Sequence, residues 1–473
     1  MKKIIYIALI IFSPLFGACN FLEVEVPGKN DIEKFYSDPN ALKSALIGLY
    51  SETSSYYNSH FIKYPEVAGN MLNLTPGTRD MLNQFNFTSL PTMEQETEAV
   101  GNIWKRVLAT LGNANLLLQY SPKIKEQFPN SKQDIEIIEA QALFIRALCH
   151  FDLNRVYAQP YNFTDNGSHC GVPILTTLPF PGEDVLRSTS AETYQRIIED
   201  LTKSIEIFQG YEPASAYYIG STASEALLAR VYLYMDNWDE AAKYASSVIS
   251  KKSLTPRNEY VNMFRNNEAG KEAIFRVSTY KKSSGIRSFY NFESPSARPT
   301  DSLYSLFENN EDIRLSLLIE EKSQTKACLK YEIFNTIADD EKHHDPFILR
   351  LSEMYLIRAE ALCQQNKLNE AAEDIKTLIS RATGDDISQI ILNYTDKASL
   401  SRLIEEERVK ELCFEGHNFF DIVRRKQDLI REHSTNSTVK TLGYPNDKFV
   451  LPIPIVEIDA NQNIQQNPGY DNN

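Results

Sequence analysis

Three consecutive carboxylates, Glu405, Glu406 and Glu407, are the residues of this chain whose type most invites a chemical reading. A pair of carboxyl groups flanking a glycosidic bond is the machinery of glycoside hydrolysis. Their spacing argues against that role. Consecutive helical residues point in different directions, and partners on one face lie three or four apart. Ion pairs from Glu407 and Arg408 that lock helices together are expected instead. A second dense run, Asp339-Asp340-Glu341 and then His343-His344-Asp345, carries the oxygen and imidazole donors that metals take. It has neither the HExxH nor the EF-hand spacing, and reads as a solvated acidic loop. No G-x-S-x-G elbow, P-loop or dinucleotide fingerprint occurs. The residues therefore predict no catalytic group, no metal and no cofactor.

Cys19 has a different kind of chemistry. Lys2-Lys3 precede an apolar run from Ile4 to Phe12, and Gly17-Ala18 stand directly before the cysteine. A short basic region, a short apolar core and small residues before a break describe a secretory signal. The run is shorter than the roughly 20 apolar residues that span a bilayer. A cysteine directly after the small pair is the pattern of a lipoprotein signal, although Phe16 stands where Leu is usual. This predicts a signal peptide over 1–18, lipid attachment at Cys19, and a mature chain over 19–473 held at a membrane by its acyl chains. Of the other cysteines, Cys149, Cys363 and Cys413 fall in apolar helical patterns, where a thiol acts as a small hydrophobe. Buried thiols, not a disulfide framework, are expected.

The chain holds 25 Tyr and 24 Phe but only two tryptophans, Trp104 and Trp238. Sugar rings offer apolar C–H faces and a hydroxyl rim, so a glycan site wants exposed aromatics with amide and charged neighbours. Both tryptophans lie in helical patterns and read as core. Two loop-rich regions hold the replacements. The first carries Tyr56, Tyr57, His60, Tyr64, Asn70, Arg79, Asp80, Asn83 and Phe85. The second carries Tyr280, Arg287, Tyr290, Asn291 and Phe292. The candidate ligand contacts are Tyr56, Tyr57, Tyr64, Asn70, Arg79, Asp80, Asn83, Tyr280 and Tyr290. Loop packing or a partner contact is the competing reading for each aromatic.

The elements that must position these residues are mostly helical. Apolar residues three or four apart predict helices after Asp38-Pro39, from about Met93 to Gln119, from Ile135 to Tyr157, and after a Ser190 cap. Two helix pairs follow a common plan: Thr222 to Tyr234 with Trp238 to Ser250, and Phe347 to Gln365 with Leu368 to Arg381. In each, a helix rich in small residues precedes a polar turn and a helix opening on Glu-Ala-Ala, which is the tetratricopeptide style of unit. A last helical stretch runs from Leu400 to Lys426, with a possible break at Gly416. Residues 50–91, 159–187 and 253–345 are loop-rich, with a β-like run at Ala273 to Thr279. Long irregular stretches on a scaffold are the natural place for a binding face. The net charge of −14 argues against a nucleic-acid partner.

In chain order, several stretches resemble the SusD/RagB family of outer-membrane nutrient-binding lipoproteins. They are Cys19-Asn20-Phe21-Leu22-Glu23, Trp104 with Gly112-Asn113-Ala114-Asn115, Glu139 to Ala147 with Phe151-Asp152-Leu153, and Gly171-Val172-Pro173. Arg350 to Ala361, Glu407 to Leu412 with Glu415-Gly416-His417, Leu451-Pro452-Ile453-Pro454 and Gln466 to Tyr470 complete the set. The likeness spans the mature chain, with a SusD-like N-terminal portion at about 20–230 and a SusD/RagB C-terminal portion at about 270–473. It implies a mainly α fold: about four irregular tetratricopeptide-like helix pairs and a loop-rich, minor-β half that binds ligand. It implies a lipid-anchored place on the outer membrane, facing the cell exterior, beside a SusC-like TonB-dependent transporter. It also implies a non-enzymatic role with oligosaccharide as cargo; a peptide, as in the RagB branch, is the alternative, and a glycan hydrolase the remaining class.

Overall fold

A computed structural model describes residues 32–470 except 180–182, 283, 308–310, 321–322, 334–342, 432–435 and 462. Cys19, the expected signal segment 1–18 and the acidic stretch Asp339-Asp340-Glu341 lie outside the described residues.

Nine helices form a sequential row: α1 (Pro39–Tyr56), α2 (Ala99–Gln127), α3 (Lys132–Tyr157), α4 (Ser190–Phe208), α5 (Ser221–Tyr234), α6 (Trp238–Lys251), α7 (Leu351–Gln364), α8 (Leu368–Thr383) and α9 (Lys397–Leu412). Each of α1 to α8 packs on the next, and α9 packs back on α7. This is the irregular tetratricopeptide-like scaffold expected from sequence, with α5/α6 and α7/α8 as the two matching pairs. The row survives a 99-residue excursion between α6 and α7 because Ala226, Ala229, Ala359, Ala361 and Ala245 are fully buried where these helices approach closely. Asp236 and Asn366 turn the two pairs at positive φ, +57° and +64°, a conformation that Asp and Asn tolerate.

Side chains fix most helix starts. Asp38 accepts the amides of Asn40 and Ala41 at 2.8 and 3.0 Å, with Pro39 opening α1. The cap of α4 is Thr189, one residue before the expected Ser190. Its hydroxyl accepts the Glu192 amide while the Glu192 carboxylate takes the Thr189 amide, a reciprocal capping box that Ser190 cannot make with the same register.

Three expectations for the elements need correction. The helix predicted from Phe347 begins only at Leu351, because Phe347–Arg350 is a strand, β4, paired antiparallel with β2 (Ala273–Arg276). Both strands are buried throughout, and a continuous apolar run does not by itself distinguish strand from helix. The stretch from Leu400 divides into α9 and α10 (Asn418–Arg424). Between them the Glu66 carboxylate accepts the amides of Phe414, Gly416 and His417 at 2.8–2.9 Å, with Gly416 at φ +89°. The third is the region beginning at Tyr50. It is not all loop: α1 runs to Tyr56, a wide turn covers Tyr57–Phe61, and a buried helix spans Ile62–Val67.

A buried charge network ties the scaffold to the C-terminal half. Glu411 of α9 accepts from Arg350 at 2.6 Å, Arg381 at 2.7 Å and Arg314 at 3.2 Å. Glu272 pairs with Arg350 and Arg381, and Glu415 with Arg350 and Lys330. Arg314 also takes Glu407 at 2.6 Å, and Arg408 takes Asp421 at 2.7 Å. Glu407 and Arg408 thus lock helices, as their sequence setting implied. Burial opposes charge on Glu411, but Arg381, Arg350 and Arg314 outweigh it and hold the carboxyl well below its ordinary range.

Candidate functional site

The two loop regions singled out from sequence are 200 residues apart in the chain and meet in space. β1 (Leu72–Leu74) pairs antiparallel with β3 (Ala297–Pro299), Leu72 opposite Pro299 and Leu74 opposite Ala297. The segment after β2 then runs along α1 and its wide turn. Ser54 donates to the Ser278 carbonyl at 2.6 Å, Lys282 to the Ser51 carbonyl at 2.7 Å, and Ser284 to Asn58 Oδ1 at 2.8 Å.

Where these segments meet the loop before α5, a groove of about 310 Å³ opens. Its walls carry Tyr50, Tyr217, Tyr218 and Tyr280, with Ile47, Ser51 and Lys282 at the rim. Tyr218 and Tyr280 are both 50% exposed. Tyr50 stands edge-on to Tyr218, ring centres 5.7 Å apart. Its hydroxyl donates to Gln141 and accepts the Ile219 amide at 2.9 Å, so the ring is clamped from both sides. Tyr217 donates to Asp345 Oδ2 at 2.5 Å. Burial opposes charge on Asp345, but Tyr217, the Thr279 amide and Arg276 outweigh it and keep the carboxyl below its ordinary range. Burial raises the Tyr217 hydroxyl and lowers the Lys282 ammonium. The result is a set of rigid aromatic faces with hydroxyls and one ammonium at the edge, able to pack against ring C–H faces and bond a hydroxyl rim.

The sequence-predicted contacts divide sharply. Tyr280 lines the groove. Arg79 and Asp80 are exposed and Asn70 and Asn83 half-buried, and none of the four lines the groove. Asp80 pairs with Lys63 at 2.6 Å, and its other oxygen lies 3.7 Å from His60 Nε2. Burial, then Lys63, push His60 down to about 4 against the pull of Asp80. Asn83 donates to Glu98 at 2.8 Å, and Asn70 to the Ile430 carbonyl at 3.4 Å. Tyr56, Tyr57, Tyr64 and Tyr290 are corrected: all four are core residues. Tyr56 and Tyr57 both donate to the buried Asp152, at 3.0 and 2.8 Å. Tyr64 packs against Phe419 and Phe420, and Tyr290 stacks on Tyr331. Helical backbone through Tyr56 and Tyr64 turned these rings inward, which an Asn- and Pro-rich composition concealed. Tyr50, Tyr217 and Tyr218 were missed. The signal was present for two of them: adjacent tyrosines in a short polar connection after Pro213.

Trp104 is core, as expected. Trp238 is half-buried and borders a polar cleft. Cys149, Cys363 and Cys413 are buried free thiols, and burial pushes Cys413 up to about 11. Among the described residues no helix is long and apolar enough to cross a membrane, and no group of three metal-ligating side chains converges.

Comparison with known proteins gives a consistent answer. A model described as "SusD family" matches residues 329–470, and one described as "Starch-binding associating with outer membrane" matches residues 20–233. SusD-like protein P2 of Formosa agariphila is 24% identical, covering 99% of this chain and 100% of the relative. A SusD superfamily protein of Bacteroides thetaiotaomicron superposes with a TM-score of 0.81 at 25% identity, covering 91% of this chain and 100% of the other. A Bacteroides vulgatus protein provisionally described as sugar-binding gives a TM-score of 0.80 at 27% identity, covering 92% and 99%. Two family models that between them match most of the chain, relatives aligned over nearly their full length, and a shared helical scaffold place this chain in the SusD family.

Proposed function

We propose that the mature chain captures oligosaccharide in the tyrosine groove and delivers it to a SusC-like TonB-dependent transporter, without catalysing a reaction. The groove itself carries the reading: four tyrosines, two of them half exposed, line one concavity with hydroxyl and ammonium groups at its rim. The starch-binding description of the matching family model and the sugar-binding description of one structural relative support it. A screen of oligosaccharides against the mature chain by calorimetry is the test. Replacing Tyr218 and Tyr280 together with Ala is expected to weaken the binding by about tenfold to a hundredfold, since each aromatic contact contributes about 0.5–1.5 kcal/mol. Absence of any glycan binding, or binding indifferent to both substitutions, sinks the assignment.

A peptide is the second cargo class. Ile47, 66% exposed at the rim, suits an apolar side chain better than a sugar hydroxyl. Peptides co-purifying with the chain and displaced by neither oligosaccharide nor buffer would favour it.

The same reading takes Cys19 as the lipid-bearing residue that holds the module on the outer membrane, facing the exterior. Cys19→Ala is expected to abolish lipid labelling and remove the protein from the membrane fraction. Retention in the membrane after that change contradicts the tether.

A further inference from the structure

We infer that the polar cleft beside Trp238 is a second saccharide site, separate from the tyrosine groove. The cleft has a volume of about 280 Å³ and lies where the α5–α6 turn, the end of α7, the start of α9 and the chain after α10 converge. The groove sits at the N-terminal end of α5 and this cleft at its C-terminal end. Fourteen residues of helix separate them, about 20 Å at 1.5 Å per residue.

The cleft combines an aromatic face with polar groups of both kinds. Trp238 opens α6 and is held by the Asn237 cap, whose side chain accepts the Glu240 amide. Asn162 lies beside it, donating to Asp236 Oδ2 at 2.6 Å and to the Arg424 carbonyl at 3.0 Å. Both partners are acceptors, so the amide can only face them with its nitrogen. Its oxygen is therefore fixed as the other end, and that atom is shielded from solvent and accepts no hydrogen bond from the described residues. A buried acceptor left unmet costs free energy that a donor from a ligand recovers. Opposite, Gln427 donates to Glu405 at 2.8 Å, a planar pair of the sort that grips vicinal hydroxyls.

Charge selects the ligand class. Glu360 is already taken by Arg424 and Arg425, at 2.6 and 2.7 Å. Asp236, Glu405 and Lys426 complete the wall, so the lining holds three carboxylates and three cations and carries no net charge to draw an ionic ligand. A neutral pyranose, apolar on one face and donor-rich at its edge, matches the tryptophan, the unmet acceptor and the carboxylates together.

The chain provides its own reporter, because Trp104 is buried and Trp238 is the accessible tryptophan. Neutral disaccharides (maltose, cellobiose and lactose) are titrated at millimolar concentration into the mature protein, reading acrylamide quenching of tryptophan fluorescence and, in parallel, saturation-transfer NMR. Protection of Trp238 by at least one of them is expected in the wild type, and equally in the Tyr218→Ala/Tyr280→Ala variant. Asn162→Ala is expected to weaken that protection about tenfold in a protein that remains folded, with a lowered unfolding midpoint because Asp236 and the Arg424 carbonyl lose their donor. Trp238→Phe keeps the fold and a ring and is followed by NMR alone, with weakened transfer expected. Trp238 indifferent to all three sugars overturns the inference. So does a response lost in the groove variant and retained in Asn162→Ala; that outcome leaves the tyrosine groove as the saccharide site. A cleft response without any glycan binding at the groove upholds this inference and removes the function assigned to the tyrosines.

Discussion

Replacing Glu411 with Ala is expected to cost about 3–5 kcal/mol, the price of leaving buried guanidinium groups without their counter-charge. Its carboxylate is fully buried and accepts from Arg314, Arg350 and Arg381. Those three come from the 253–345 excursion, from β4 and from α8, so the one carboxylate joins three parts of the chain. Typical domains are stable by only about 5–15 kcal/mol, and the variant should lose a large fraction of that or fail to accumulate. Urea denaturation of the mature protein checks it. The exposed pair Lys43–Asp134, at 3.2 Å with side chains 53% and 62% exposed, supplies the contrast. Lys43→Ala is expected to change stability by less than about 1 kcal/mol. Equal effects at the two positions would show that the network does not hold the halves together.

Acid should destabilise the protein through its buried histidines. Burial lowers His150 to about 4 and His344 to about 3, and pushes His417 well below its ordinary value. Each works as a neutral ring. His150 donates from Nδ1 to the Arg146 carbonyl and accepts the Leu175 amide at Nε2, at 3.0 and 3.1 Å, so a second proton would break the contact that fastens the 171–175 loop. His344 lies against Tyr331, with ring centres 4.5 Å apart and no hydrogen-bond partner for either nitrogen among the described residues. Arg276 and His343 disfavour its charge, and Asp345 favours it. The unfolded chain takes up a proton at each histidine near pH 6.5 and the folded chain does not. The stability from these rings is therefore fully present above pH 6.5 and is lost as pH falls toward 4.

Glu66 and Asp152, whose carboxyls burial raises, act in the opposite sense. A difference measurement isolates the histidine effect. His344→Phe is expected to match or exceed the wild type at pH 7, since Phe keeps the ring packing without unmet nitrogens. Below pH 6.5 its advantage should grow by about 1.4 kcal/mol per pH unit, the value of one proton. A pH-independent difference between the two proteins rules out the buried neutral histidine as the source.

Much of the scaffold could be read from residues alone. The two Glu-Ala-Ala helix pairs, the α3 helix and the roles of Glu407 and Arg408 follow from spacing and side-chain type. Those signals are local. An amphipathic repeat or a cap is complete within a few residues, and its partner needs only to be another helix. The candidate surface was legible in outline. Both loop regions flagged for their aromatics do meet, through β1 with β3 and along α1, and Tyr280 lies in the groove. Composition could not say which tyrosines face outward. Tyr56 and Tyr57 share the buried Asp152, a partner about 95 positions away, and that contact turned them into core.

By itself, the sequence determined the helical row and the family likeness. Tertiary structure alone decided which rings line the two candidate clefts. The groove takes its rings from α1, the connection before α5 and the segment after β2, three stretches spread over more than 200 residues. The Trp238 cleft likewise depends on Asn162 reaching across to Asp236 and Arg424. Exposure is a property of the packed neighbours and not of the residue. A tyrosine's availability is therefore set only when the distant chain either covers it or leaves it open.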